Sequence, residues 1–288
     1  MKKNYNQRIK VQTNFIHNLL IQNHPTTEDS TLKINLLNHT KVKKDFVSSS
    51  KIFFNKADIG AYEILEGNTI NIYPHKNINA DTLLYYGLQI PFGCACAQNQ
   101  KIVFHASVAE KDGKCFAFLG NPGAGKSSLL IKLLEAEWNF ITEDICVIDD
   151  SYNLNFISSF PYIKLSNEVA KSHSNKLIST DINTDKLGRQ TYQIDTLKLS
   201  SGGVLESIFF LDWGQGLNLY QPAESTKLRL LLNYIVPSFQ SKADDLHIDS
   251  YKKILKLMDS LPTFVLERPR SLANNDIQAT INKINSLT

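Results

Sequence analysis

Residues Gly120-Asn121-Pro122-Gly123-Ala124-Gly125-Lys126-Ser127 satisfy G-x-x-x-x-G-K-[ST] at every fixed position. Glycines let the backbone curl tightly, so that successive N–H groups converge on phosphate oxygens. A helix beginning at Lys126 would turn its positive end toward the same anion. Lys126 brings a point charge to the β- and γ-phosphates, and the Ser127 hydroxyl, with Ser128 behind it, stands where Mg2+ is ligated. The chemistry expected is binding of a nucleoside triphosphate with Mg2+. ATP and GTP both fit, because the chain carries no base-reading motif. A second group follows at Glu143-Asp144, 17 and 18 residues after Lys126. One carboxylate there can hold Mg2+ and the other can take a proton from an attacking hydroxyl. The alternative is two solvated acids at a strand end.

These groups need particular elements around them. Ile102–Val108 and the continuous apolar run Cys115–Leu119 read as strands, joined by the turn Lys111-Asp112-Gly113-Lys114, so a hairpin leads into the glycine loop. Ser127–Glu135 has helical spacing, with Leu129, Leu130, Leu133 and Leu134 on one side. Phe140-Ile141 begins a return strand, expected beside the loop's own strand, that carries the acids back to the phosphate end. Upstream, Phe15–Leu20 suggests a helix and Leu32–Leu37 a strand. Phe53-Phe54, Tyr62–Leu65 and Thr69–Tyr73 read as strands, the last two forming a hairpin through Glu66-Gly67-Asn68. Asp81 is the expected cap of a helix through Leu83, Leu84 and Leu88, weakened by Gly87 and Pro91. Downstream, Tyr162–Leu165, Ser207–Leu211 and Thr263–Leu266 read as strands, and Leu228–Val236, Tyr251–Met258 and Asp276–Ile284 as helices.

Bulk composition narrows the classes. The chain has 288 residues, 42% hydrophobic and 20% charged, with a net charge of +3. That is room for one large domain or two modest ones, and too little clustered positive charge for a nucleic-acid partner. No apolar run is long enough to span a membrane, and no apolar stretch follows Met1-Lys2-Lys3 as a signal peptide would require. Four cysteines are too few for a disulfide framework. Cys94 and Cys96 read as buried thiols rather than half of a metal site. A cytoplasmic location is the expectation.

Phe104-His105-Ala106-Ser107, the turn at Asp112-Gly113, the loop Leu119–Ser128 and Thr142-Glu143-Asp144 together resemble the HPr kinase/phosphorylase superfamily, which shares its fold with phosphoenolpyruvate carboxykinase. The resemblance is specific over residues 101–148 and loose over 53–270. It implies an α/β fold, with a mixed β-sheet P-loop kinase core in residues 101–288 and a small β-rich N-terminal subdomain in residues 1–100. It also implies roles. Gly120, Asn121, Pro122, Gly123, Ala124, Gly125, Lys126, Ser127 and Ser128 would cradle phosphate, and Ser127 and Asp144 would hold Mg2+. Glu143 would stand where the family has an aspartate as general base, and His105 would lie near the transferred phosphate. Lys186 and Arg189 fall where the family neutralises phosphate charge, although a solvated loop is an equal reading. The family's arginine-glycine signature for the reverse reaction is missing after residue 190, Ser201-Gly202-Gly203 being the nearest segment. The chain therefore looks more like the shorter relatives that phosphorylate serine on ribosomally made precursor peptides. The implied activity is transfer of the γ-phosphoryl of ATP to a Ser or Thr hydroxyl of a peptide or small protein, in a chain able to form homo-oligomers as that family does. The alternatives are a nucleotide-binding regulatory module or NTPase and a small-molecule kinase.

Overall fold

The structure is a computed structural model that describes residues 10–13, 31–37, 44–149, 155–157, 160–173, 177–182, 184–195, 199–200, 203–238, 244–270 and 274–287. The expected helix at Phe15–Leu20 and the segment Ser201-Gly202 lie outside these residues. The fold is mixed α/β, with a six-stranded, a nine-stranded and a three-stranded sheet.

Alternating apolar residues build the first sheet. Thr31–Leu36 lies parallel to Lys10–Thr13 on one side and to Thr69–Pro74 on the other, and antiparallel strands Gly60–Leu65, Lys51–Lys56 and Phe46–Val47 follow in order. Glu66 and Gly67 make the expected hairpin turn, both with positive φ. One expected helix is in fact two, Ala80–Gly87 and Ile90–Gln98. The first is capped by Asn79 rather than Asp81: Asn79 Oδ1 accepts from the Thr82 amide at 2.7 Å. Pro91 falls in the first turn of the second helix, where its missing N–H is harmless, so it starts a helix instead of weakening one. The two helices bury Leu83, Leu84, Phe92 and Cys96 against the first sheet, and the same core takes in Val103, Ile145 and Val147 of the large sheet. The parts expected on either side of residue 100 thus share apolar packing.

In the nine-stranded sheet, the strand expected over Ile102–Val108 is broken at Ala106. Ile102–His105 pairs with Ile145–Asp149, while Ser107–Lys111 pairs with Asn139–Thr142 and forms the expected hairpin with Lys114–Leu119. Asn139–Thr142 therefore lies one strand away from Lys114–Leu119, not beside it. It still points the same way, because two antiparallel steps restore direction. On the other side of Lys114–Leu119, strands Val204–Trp213 and Thr263–Arg268 follow in parallel. Lys114–Leu119 is buried on both faces. Phe116 and Phe118 pack with helix Lys126–Glu135, and Cys115, Ala117 and Leu119 pack beneath helices Glu224–Asn233 and Asp244–Ser260. The three-stranded sheet, ordered Tyr162–Leu165, Gln190–Ile194, Leu177–Ser179, closes over the helix Lys126–Glu135 side, and helix Asn274–Asn285 packs there too. Among the described residues no helix is long and apolar enough to cross a membrane.

The Asn79 cap also donates to the Asp181 carbonyl at 2.9 Å, so it joins the first helix to the loop after Leu177–Ser179. Asn79→Ala is expected to lower stability by about 1–2 kcal/mol, from one lost cap and one lost tie. Urea unfolding measures this, and a change within about 0.3 kcal/mol would show that the cap is not used.

Candidate functional site

The site starts from two facing interruptions in neighbouring strands. Ala106 interrupts one strand, and Glu143-Asp144 interrupts its partner between Thr142 and Ile145. The two breaks are laced together by buried polar contacts. The Ser107 hydroxyl donates to the Glu143 carbonyl at 2.9 Å. The Ala106 amide reaches the Asp144 carbonyl at 3.2 Å, and His105 Nδ1 lies 3.0 Å from that same oxygen. Thr142 Oγ1 donates to the Ile145 carbonyl at 2.9 Å, closing the break on its own strand. The carbonyls of the acidic pair are thereby satisfied, and the two side chains leave the ladder at the end of the sheet where the glycine loop lies.

Leu119 delivers the chain into that loop. Gly123 and Gly125 have φ of +84° and +80°, a region that side chains disfavour. A Cβ on Gly125 would stand 2.8 Å from an Arg268 guanidinium nitrogen and 3.0 Å from the Trp213 ring. Gly125 caps helix Lys126–Glu135 with no side-chain hydrogen bond, so the helix start is left to a ligand. Lys126 Nζ donates back to the Gly120 carbonyl at 2.6 Å. Trp213 Nε1 donates to the Gly123 carbonyl at 2.9 Å, and Arg268 donates to the Ala124 carbonyl at 2.6 Å while stacking 4.3 Å over Trp213. Tyr234 OH reaches Asn121 Oδ1 at 3.2 Å. Burial pushes Arg268 down to about 10.

The two acids point to different partners. Ser127 Oγ donates to Glu143 Oε1 in a very short hydrogen bond, and Glu143 Oε2 is buried with no partner. Asp144 Oδ2 instead accepts from Gln89 Nε2 at 2.5 Å and faces Lys164 Nζ at 3.4 Å. The carboxylate beside Ser127 is thus that of Glu143, whereas the family resemblance implies Asp144 as the acid that holds Mg2+ with Ser127. The extra methylene of Glu143 carries its carboxylate to the helix start. Burial, then the charge of Asp144, pushes the Glu143 carboxyl up to about 7, from an ordinary 4.5. Asp144 is held below the usual range despite its burial, chiefly because the ammonium of Lys164 stands beside it. Burial likewise lowers His105, so its ring is neutral near neutral pH. With Nδ1–H given to the Asp144 carbonyl, Nε2 is left as an acceptor. Burial also lowers Lys126, partly offset by the two acids.

Other expected residues fall as follows. Arg189 is gripped by Asp185 at 2.7 Å and lies within electrostatic reach of both acids. Lys186 turns away, exposed, to an ion pair with Asp58 at 2.6 Å. All four cysteines are free and buried, and burial pushes Cys94 and Cys96 up to about 12. Among the described residues no cluster of three His, Cys, Asp or Glu side chains is set to hold a metal. Sequence reasoning missed Gln89, Lys164, Trp213 and Arg268. Trp213 and Arg268 end the two strands running parallel to the loop's own strand, where ligands of such sheets bind, but that neighbourhood cannot be seen without the strand order. A small cavity lined by Tyr85, Gln89, Glu143, Asp144 and Tyr162 opens on the Asp144 side.

No family model matches the chain, and no curated protein matches it. Among solved structures, it is similar to the HPr(Ser) kinase/phosphatase from Coxiella burnetii, over 64% of this chain and 88% of that one, with a TM-score of 0.33 and 10% identity. Likeness of that degree carries no argument, so function rests on the site itself.

A carboxyl raised on folding adds stability below its unfolded value and loses it as pH rises through its folded one. For Glu143 that window runs from 4.5 to about 7. Glu143→Gln, which keeps the acceptor for Ser127, is therefore expected to gain on the wild type as pH rises from 5 to 8, by on the order of 2 kcal/mol. Thermal unfolding of both proteins across that range measures it, and parallel curves would mean that Glu143 titrates normally.

Proposed function

We propose that the chain is an ATP-dependent kinase that moves the γ-phosphoryl group to a Ser or Thr hydroxyl of a peptide or small protein, GTP being the alternative donor. The observation that carries this reading is the division between the two acids. One is joined to the serine of the glycine loop and, among the described residues, keeps a buried, unpartnered oxygen; the other turns instead to Gln89 and Lys164, beside a small cavity that both acids line. The residues fit Mg2+ and a triphosphate. A divalent cation beside Ser127 would satisfy Glu143 Oε2, and the glycine cradle has no room for a Cβ at Gly125. Bound there, Mg2+ would supply charge neutralisation for the phosphates.

The chain's own residues then have separate tasks. Lys126 would leave the Gly120 carbonyl for phosphate oxygens, while the loop amides and the helix start hold the rest of the anion. Ser127 and Glu143 would hold the cation, so Glu143 would take the metal side and Asp144 the acceptor side, the reverse of the roles implied by family resemblance. Asp144, ionised and held by Gln89 and Lys164, orients the acceptor hydroxyl and receives its proton as that oxygen bonds to phosphorus and the bond to the leaving diphosphate breaks. His105 fixes the break carrying Asp144, and Arg189 spreads positive charge across the site.

Transfer from γ-32P-ATP with Mg2+ to serine-containing peptides and to HPr tests this. Asp144→Asn is expected to lower turnover by about 10²–10⁴-fold with nucleotide affinity nearly unchanged. Glu143→Gln is expected to weaken Mg2+-nucleotide binding by about tenfold or more, and Lys126→Ala to weaken it with or without Mg2+. Binding is readable without transfer, because Trp138 is fully buried and Trp213 sits on the loop, so a nucleotide-induced fluorescence change should vanish in Trp213→Phe. Tight binding with no label on any acceptor, in wild type and Asp144→Asn alike, would favour a regulatory nucleotide-binding module instead.

A further inference from the structure

Three separate parts of the chain bring cations to the acceptor side of Asp144. Lys56 ends strand Lys51–Lys56 of the first sheet, Lys164 sits in the three-stranded sheet, and Arg189 ends the loop before Gln190–Ile194. Lys56 Nζ and Lys164 Nζ lie 4.4 Å and 5.1 Å from the centroid of one ring, that of Tyr86. Two ammonium groups gathered on one buried ring repel each other, so the arrangement needs negative charge. Lys164 has it from Asp144 at 3.4 Å, and Arg189 from Asp185 at 2.7 Å. The Lys56 ammonium has no hydrogen bond or ion pair to any described residue, and its one close contact of this kind is the Tyr86 ring. Burial, then Lys164, lowers its affinity for its proton, and the charges of Asp144 and Asp185, each already paired elsewhere, only partly offset this. The Lys186–Asp58 pair ties the loop bearing Arg189 to the turn that follows Lys56, and between them Leu187 is left 75% exposed at the rim.

We propose that Lys56, with Lys164 and Arg189 beside it, forms a subsite for a carboxylate adjoining the acceptor hydroxyl, so that the preferred acceptor is a peptide whose Ser or Thr is flanked by an acidic residue. A neutral flank would leave Lys56 half-buried and unmatched, whereas a carboxylate there makes a charge-assisted hydrogen bond. The position of the hydroxyl rests on the kinase reading above; the anion preference rests on Lys56 and can be measured apart from it.

The measurement is equilibrium binding of fluorescein-labelled peptides to the full chain, identical except that Asp, Ala or Lys flanks a single serine. The Asp peptide is expected to bind about tenfold tighter than the Ala peptide, as one close interfacial charge pair gives. Lys56→Met should abolish that preference and Lys56→Glu should turn it toward the Lys peptide, both with the nucleotide-dependent Trp213 signal intact. Equal binding of Asp and Ala peptides, no binding of either, or a preference that survives both substitutions would overturn the subsite. Inorganic phosphate competes in a separate arm; binding of phosphate through Lys56 without any preference for the Asp peptide would also overturn it, by assigning the cations to free phosphate. Transfer of 32P to the same peptides is scored independently. An acidic preference with no label sinks the kinase reading and leaves the subsite standing, and label without preference does the reverse.

Discussion

The structure depends on a pair of breaks placed opposite each other in two neighbouring strands. A regular ladder would send Glu143 and Asp144 to alternate faces of the sheet, one into each core. Interrupting both strands at the same level turns the acids out at the sheet's end instead, and the exposed carbonyls are then answered by Ser107, Ala106 and His105. Each such bond contributes only about 1 kcal/mol, but leaving a buried carbonyl unanswered costs more. The lacing is therefore what makes the break tolerable. It also explains why a histidine and a serine stand where apolar residues would otherwise continue the strand. Their first task is to hold the backbone of the acidic pair.

The same end of the sheet receives the glycine loop, Trp213 and Arg268, because three parallel strands finish there. Two of the loop's carbonyls are taken by Trp213 and Arg268, and a third by Lys126. The first two hold loop shape from outside and can persist with anion bound. The third cannot, since Lys126 is the loop's only side-chain cation. On the kinase reading the loop thus starts close to its working form, and binding would require Lys126 to leave the Gly120 carbonyl. Such preorganisation lowers the ordering cost of binding.

The sequence was most legible where chemistry and local geometry coincide. The glycine loop, its hairpin and its helix lie within one continuous stretch, and each has a local cause: an apolar run, a positive-φ turn, a 3.6-residue stripe. Strand identity downstream was also readable from β-branched and aromatic runs. What could not be read was adjacency. Nothing local says that Asn139–Thr142 pairs with Ser107–Lys111 rather than with the loop's strand, or that Val204–Trp213 takes that place. For the same reason Lys164 and Gln89, 20 and 55 residues from Asp144, gave no signal, since an isolated polar residue in a short strand or between helices has no period to betray it. Asn79 was missed for a different cause. Asp81 is an equally good cap by residue type, and only the two-residue shift in backbone distinguishes them.

Adjacent carboxylates would normally repel and share one fate, yet these two are driven apart electrostatically. Lys164 lies in an ion pair with Asp144 and holds it low, while Glu143, bonded to a serine hydroxyl and fully buried beside that charge, is pushed up. The residue type at 143 matters to this outcome. An aspartate there, as the resembling family has, would end one carbon–carbon bond, about 1.5 Å, short of the Ser127 hydroxyl and would lie closer to the charge of Asp144. Glutamate spans that gap, so the two carboxylates meet different partners, Ser127 for one and Gln89 with Lys164 for the other. On this argument the glutamate is not a worn copy of a catalytic aspartate. It lets position 143 take the side of the loop serine and, on the kinase reading, leaves position 144 to the acceptor.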